Sequence, residues 1–293
     1  MSADILRDLV QRHGGDLHGS YAVLPGPGHS RRDRSLSVTI GHGGRPVFHS
    51  FAGDPFELVR DYLGLDAKAG SKPMDPRLLK KISHARERER QADDARKLTF
   101  CETVWRECQP AAQSPVDTYL HQARGIPGPI PAVIRFHPAA PLDYEGRRCS
   151  PAMVAIVQDK DGYSCGLHVT ALMPDGSGKA GDNARRMFGP VNGGAVRLST
   201  VHDDLAVAEG VETALSFAAL TGRPTWSCLS TAGLKAFERP SGIRTLTIAA
   251  DGDDAGIDAA TDLAARAHQH CDVIISPAPG GMDWNDCLKG KAQ

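Results

Sequence analysis

The sequence predicts an α/β protein: a parallel βαβ sheet in its last third, preceded by a mixed α+β subdomain and a small sheet-forming N-terminal segment. Two stretches carry most of this. In the last third the apolar runs AVAEG, PTWSCLS, RTLTIAAD and DVIISP are separated by helical stretches, the rhythm of parallel strands covered on both faces. Before them, VIRFHP, MVAIVQD, CGLHVTALM and AVRLS are joined by turns rich in Gly and Asp. That pattern predicts a largely antiparallel unit from about residue 125 to 200.

The remaining elements follow in order. MSADILRDLVQRHGG predicts an amphipathic helix with Ile5, Leu6, Leu9 and Val10 on one face. Leu36, Val38 and Ile40 alternate as a strand should, and with Tyr21, Val23, Val47 and Phe48 they can close one face of a small sheet against a helix over Pro55 to Leu63. Gly70, Ser71, Pro73 and Pro76 then read as a linker. RLLKKISHARERERQADDARKLTFCETVWREC interleaves acids and bases, so it predicts a long solvated helix acting as a spacer. The expected divisions are 1–65, 66–112, 113–200 and 201–293.

Composition narrows the function. The chain has 293 residues, enough for two domains, and neither a secretory leader nor a membrane-length apolar run is found, so a cytoplasmic protein without a membrane partner is expected. Seven cysteines form no CxxC pair and read as reduced structural thiols. From Val201 onward there are 13 acids and 7 bases, leaving 22 acids and 27 bases before it. A basic front and an acidic rear suit a polyanion held by one part and metal-assisted chemistry in the other. Scattered surface charge would give the same count.

The acids of the rear fall at strand ends. In LAVAEGVETALSF, Glu209 stands where a strand hands over to a helix, the edge of an open α/β sheet where ligands collect. Asp251 and Asp253 flank Gly252 after the third rear strand, in TLTIAADGDDAG, where two carboxylates can face one hard cation such as magnesium. D-x-D-x-x-G also matches half of a calcium loop, but Ala255 at its fifth position and the preceding strand count against that. Asp254 is expected to cap the following helix, from about Ala255 to His268. Asp283 and Asp286 lie in the Gly-rich PGGMDWNDCL at the same edge, and either could complete a site or cap a final turn.

In this order, LAVAEGVETALS, TLTIAADGDDAG and GMDWNDCL resemble the Toprim domain, the metal-binding α/β fold of bacterial-type primases, topoisomerases and some nucleases. The resemblance implies Glu209, Asp251, Asp253 and Asp283 as the metal set, the first three as catalytic residues, with Mg2+ or Mn2+ as cofactor. It also shows a departure: the family's second acid, four residues after the glutamate, is Thr213 here, and the neighbouring Glu212 has a different helical azimuth.

YLHQARGI, IRFHP, GLHVTALMPDGSGKA and RRMFGPVNGGAVRLS resemble the region before the Toprim domain in primase-like proteins of phages, plasmids and integrative elements. Lys179, Arg185, Arg186 and Arg197 are the candidate nucleotide and template contacts, Lys179 and Arg186 foremost. GPGHSRRDRSLSVTIGHGGRPVFHSFAGDPFELV resembles a degenerate zinc ribbon. His29 is kept, Gly26 and Ser50 stand at ligand positions, and the last Cys is missing between Gly53 and Asp54, so no zinc is expected. Arg31, Arg32 and Arg34 could still touch nucleic acid.

Taken together the resemblance implies a magnesium-dependent primase-like enzyme making RNA primers on single-stranded DNA from nucleoside triphosphates. With no GxxxxGK[ST] loop in the sequence, a separate helicase or replication protein is the expected partner. The alternatives are a Toprim nuclease and a non-catalytic DNA-binding accessory protein.

Overall fold

Alternating apolar residues build the first sheet. The computed structural model describes residues 2–41, 44–65, 76–147 and 151–291 of a chain that divides into two compact units, Met1–Arg90 and Gln91–Gln293. In the first, helix α1 (Ser2–His13) precedes strands β1 (Asp16–His18), β2 (Tyr21–Leu24), β3 (Leu36–Ile40) and β4 (Pro46–Ser50), antiparallel in chain order, and helix α2 (Phe56–Tyr62) follows. Leu6 and Leu9 from α1, Leu36 and Val38 from β3, and Val59 from α2 make its core, as their spacing predicts. Gly70, Ser71 and Pro73 lie outside the described residues.

The positions expected to have lost zinc ligands are gathered in this unit by hydrogen bonds. His29 Nδ1 lies 3.0 Å from Asp33 Oδ2 and 3.1 Å from Ser35 Oγ, and its Nε2 lies 3.3 Å from Asp54 Oδ1. Ser50 Oγ donates to Asp54 Oδ2 at 2.6 Å. A Cβ on Gly26 would stand 2.7 Å from His29 Nδ1, so only glycine fits there without displacing the imidazole. Asp33, hydrogen-bonded foremost, and Asp54 raise the His29 pKa.

Helix α3 (Pro76–Glu107) begins at a proline expected in the linker, and proline suits a first helical position because the amide there has no intrahelical partner. Its middle is laced with pairs such as Lys97 and Asp93 at 2.6 Å. It is more than a solvated spacer. Cys101 and Val104, one turn apart, are buried in its last turns, and Ile82 packs against Val47 near its start.

After α3 come β5 (Gln109–Pro110) and the short helix α4 (Pro115–Asp117), which runs on as a π-helical stretch, Thr118–Ala123. Strands β6 (Ile134–His137), β7 (Ala152–Gln158), β8 (Ser164–Ala171) and β9 (Arg185–Phe188) complete a five-stranded sheet, antiparallel in chain order. Two details differ from expectation. RRMF, outside the strands expected from the sequence, is the edge strand β9, whereas AVRLS forms only isolated bridges, Ala195 to Gln158 and Val196 to Ser227.

The last third follows as β10 (Asp204–Ala208), α5 (Val211–Thr221), β11 (Thr225–Ser227), α6 (Thr231–Ala236), β12 (Thr245–Ala250), α7 (Asp254–Ala267), β13 (Asp272–Pro277) and α8 (Trp284–Lys291). Its sheet has the order β11-β10-β12-β13 with every neighbouring pair parallel, the predicted architecture. Leu234 of α6 and Leu263 of α7 cover one face, and Phe217 of α5 with Trp284 of α8 the other. Coverage on both faces holds for the central strands. Edge strand β13 leaves Ile274 and Ile275 at 45% and 38% exposure.

A third core lies between the two sheets. Met153 and Ala155 of β7 pack in one cluster with Val211 of α5 and Leu229, so residues on either side of position 201 share a core. Among the described residues no helix is long and apolar enough to cross a membrane.

Candidate active site

Parallel register sets the site. Ala208 pairs with Ala249 and Ala250 with Pro277, so Glu209, Asp251 and the loop after β13 leave the sheet together at its carboxyl edge. Glu209 is oriented there by the first residue of α6: Thr231 Oγ1 donates to Glu209 Oε2 at 2.8 Å, and Ser227 Oγ donates to the Glu209 carbonyl at 3.0 Å.

Asp251 is the group under most electrostatic stress. Its Oδ1 is buried without a hydrogen-bond partner. Burial first, then the charges of Glu209, Asp283 and Asp253, push its pKa up to about 7 against the pull of Arg185. Glycine lets the loops meet: Gly252 N donates to the Met282 carbonyl at 2.8 Å, and a Cβ there would lie 2.7 Å from the Pro279 carbonyl.

Asp253, not Asp254, caps α7, its Oδ1 accepting from Gly256 N at 2.7 Å. Asp254 is already the first helical residue. Both positions carry Asp and the helix could start after either, so the sequence alone places the cap one residue late. At α8, Asp283 Oδ1 accepts from Asp286 N at 2.8 Å, and Asp286 Oδ2 lies 3.4 Å from Asp283 N. The pair thus forms a reciprocal cap of the capping-box kind, with Asp283 at the cap position.

Four carboxylates therefore share one edge, and Asp253 and Asp283 each keep an oxygen outside the capping bond. Among the described residues, no three His, Cys, Asp or Glu side chains converge on one chelating point. The donor chemistry still fits a hard cation: all donors are carboxylate oxygens, and one is buried without a hydrogen-bond partner.

The basic candidates separate. Lys179 and Arg185 lie beside Glu212, the first at 2.9 Å and the second at 3.8 Å from its carboxylate, and Arg185 also acts on Asp251. Arg186 is the next residue of a strand, so it takes the other face of β9, where its guanidinium donates to the Asn183 and Arg185 carbonyls. Arg197 stacks 4.4 Å over the Trp226 ring and donates to the Asp159 and Lys160 carbonyls, which makes it a clamp on a hairpin.

Sequence reasoning missed the buried network behind these groups. Tyr119 OH donates to Glu212 Oε1 at 2.6 Å and accepts from Arg124 Nε at 3.0 Å; Asn285 Nδ2 donates to the Arg124 carbonyl and to Ser216 Oγ. Its only signal in the sequence was Glu212, a charge in the apolar first turn of α5.

Comparison with known proteins agrees with this fold. Residues 204–293 match the family described as Toprim domain, and residues 95–198 match a domain of unknown function (DUF7146). The last third of the chain is thus a Toprim domain. No curated protein matches the sequence. Among solved structures, the chain is similar to a DNA primase domain from Pseudomonas aeruginosa, with 15% identity, 53% of this chain and 52% of that one covered, and a TM-score of 0.37. It is similar to the primase fragment of the bacteriophage T7 primase-helicase at 18% identity, 59% and 65% coverage and a TM-score of 0.40. For the zinc-binding and RNA polymerase domains of Aquifex aeolicus primase the figures are 16%, 99%, 82% and 0.43. The chain thus spans about half of the first of these and just under two thirds of the second.

Proposed function

We propose that the protein is a magnesium-dependent, primase-like nucleotidyltransferase of a mobile element, joining ribonucleotides on a single-stranded DNA template. The observation that carries this reading is the cluster of Glu209, Asp251, Asp253 and Asp283 at one edge of a Toprim sheet, with a buried Asp251 oxygen unpartnered. These four residues would hold magnesium, and manganese would substitute because both accept oxygen donors in octahedral geometry. Held by these carboxylates, the ion would supply positive charge to the α-phosphate and the 3′ hydroxyl of the nucleotides.

The chain's own residues supply position and charge. Thr231 and Ser227 fix Glu209 against the sheet edge. Lys179 and Arg185 offer positive charge to the phosphates of a nucleoside triphosphate, next to the acids. The template lies on the basic portion before Val201, and unwinding falls to a separate helicase or replication protein.

Incubation with labelled nucleoside triphosphates, magnesium and single-stranded DNA tests the reading. New oligoribonucleotides are the expected product. Shortened template would replace it with a Toprim nuclease, and no reaction would leave a DNA-binding accessory protein.

A further inference from the structure

Glu212 is an acid where a helix packs into a core. It is 4% exposed on the first turn of α5, and its neighbours come from three different parts of the chain. Tyr119 donates from the π-helical stretch, Lys179 approaches from the hairpin after β8, Arg185 reaches over from β9, and Arg124 adds a further positive charge through Tyr119. The imidazole of His168 on β8 is buried in the same field with both ring nitrogens unpartnered.

A buried carboxylate is tolerated only when paired, and so is a buried ammonium. Burial opposes the charge of Glu212, but Lys179, Arg185 and Tyr119 outweigh it and hold its pKa down to about 2. Lys179 is in the reverse position. Burial lowers its pKa, Arg185 and Arg124 push the same way, and Glu212 is the counter-charge that opposes them. Arg185 is 47% exposed and 3.8 Å from the carboxylate, too far for a hydrogen bond, so it is tethered by charge and still turns toward solvent and Asp251.

We propose that Glu212 is a positioning residue: it keeps Lys179 as an ammonium inside the protein and holds Arg185 beside the acidic cluster, so that both cations meet the phosphates of a nucleotide. The inference rests on the nucleotidyltransferase reading for what the cations meet, but not for how they are held. The Glu212 carboxylate faces Lys179, Tyr119 and Arg185, a role different from that of the acid that the family carries at the position of Thr213.

The test uses the full chain and Glu212→Gln, which keeps the shape and removes the charge. In lysine-selective NMR, Lys179 of the variant should lose its proton at a pH lower by about one unit or more than in the parent. Binding of ATP with magnesium should weaken about tenfold in the variant above the pH at which the NMR series shows its Lys179 losing the proton and recover toward the parent below it, whereas a purely structural loss would be equal on both sides. Glu212→Asp should retain the parent's Lys179 titration. An unchanged Lys179 titration in Glu212→Gln overturns the proposal. A shifted titration with unchanged ATP binding supports the role of Glu212 and overturns the nucleotide reading instead. Should Glu212→Gln fail to fold, the double variant Glu212→Gln/Lys179→Met should fold, because no unpaired ammonium remains; failure of the double variant as well would overturn the proposal.

Discussion

Asp253 Oδ1 accepts a 2.7 Å hydrogen bond from Gly256 N, so the second acid of the DxD pair is also the cap of α7. One side chain does two jobs, and substitutions separate them. Asp253→Ser keeps a cap and should leave stability nearly unchanged, while Asp253→Ala should cost about 1 kcal/mol. Both should lower magnesium-dependent activity roughly 100-fold or more, the effect of losing a few kcal/mol of metal-assisted stabilisation. Thermal melts beside primer-synthesis rates check this; an active Asp253→Ser would remove Asp253 from the metal set.

Asp251 should respond oppositely in stability. Its folded pKa of about 7 lies above its ordinary value of 3.8, so the native state holds the proton more tightly, and stability declines as pH rises from about 4 to about 7. Asp251→Asn removes that penalty. Because the group is only half-buried, the expected gain at pH 8 is on the order of 1 kcal/mol, or about 2–4 °C in Tm. Activity should be abolished in the same variant, and magnesium should raise the Tm of the parent but not of Asp251→Asn.

Binding of single-stranded DNA should weaken steeply with salt. Arg31 and Arg32 are exposed on the first unit, and replacing both with Ala should reduce the slope of log affinity against log salt by about 1.4, about 0.7 for each phosphate no longer neutralised. An unchanged slope would take these arginines out of the template path. Truncation at position 200 is a poor test, because it would cut through the core that Met153 and Ala155 share with Val211 and Leu229.

Protein purified without a metal-affinity tag should contain no stoichiometric zinc by elemental analysis, and chelators should not unfold the first unit. The hydrogen-bonded cluster of His29, Asp33, Ser50 and Asp54 takes the place of ligands there, with a pH window of its own. His29 has a raised pKa, so its contribution is full below about 6.5 and is lost as pH rises through the folded value. Although burial opposes it, the hydrogen bonds from Ser35, Gly26 and His29 hold the Asp33 carboxyl well below the ordinary range. Its contribution is therefore present above about pH 4 and is lost in acid. Melting of the first unit should be highest between these limits, and His29→Ala should flatten the alkaline side.

Much of this was legible in the sequence for a physical reason. Parallel strands buried on both faces read as short apolar runs, and the acids after AVA and TLTIAA stand out because charge at a strand end breaks the run. What escaped was set by contacts remote in sequence. Glu212 is 93 residues from the Tyr119 hydroxyl that satisfies it. Arg185 and Arg186 are indistinguishable as neighbours in a string, yet a strand sends them to opposite faces, and only one joins the acids. The same limit hid the exposed Ile274 and Ile275: DVIISP reads as a buried strand, and only the strand order makes it an edge.

Two residues tie the sheets of the second unit together. Ala195 exchanges both backbone hydrogen bonds with Gln158 at the end of the antiparallel sheet, and Val196 exchanges both with Ser227 at the edge of the parallel one. In hydrogen exchange, the amides of Ala195, Val196 and Ser227 should therefore open only in the same rare event that frees the strands on either side, while the turn at Val191–Gly194 exchanges early. An insertion into that turn would be absorbed, but one placed between Ala195 and Val196 would put one sheet out of register with the other. The carboxylates hang from one of these sheets and Lys179 and Arg185 from the other, so a two-residue splice of backbone works beside the shared core and the pairs on Glu212 in setting how far apart the opposite charges stand.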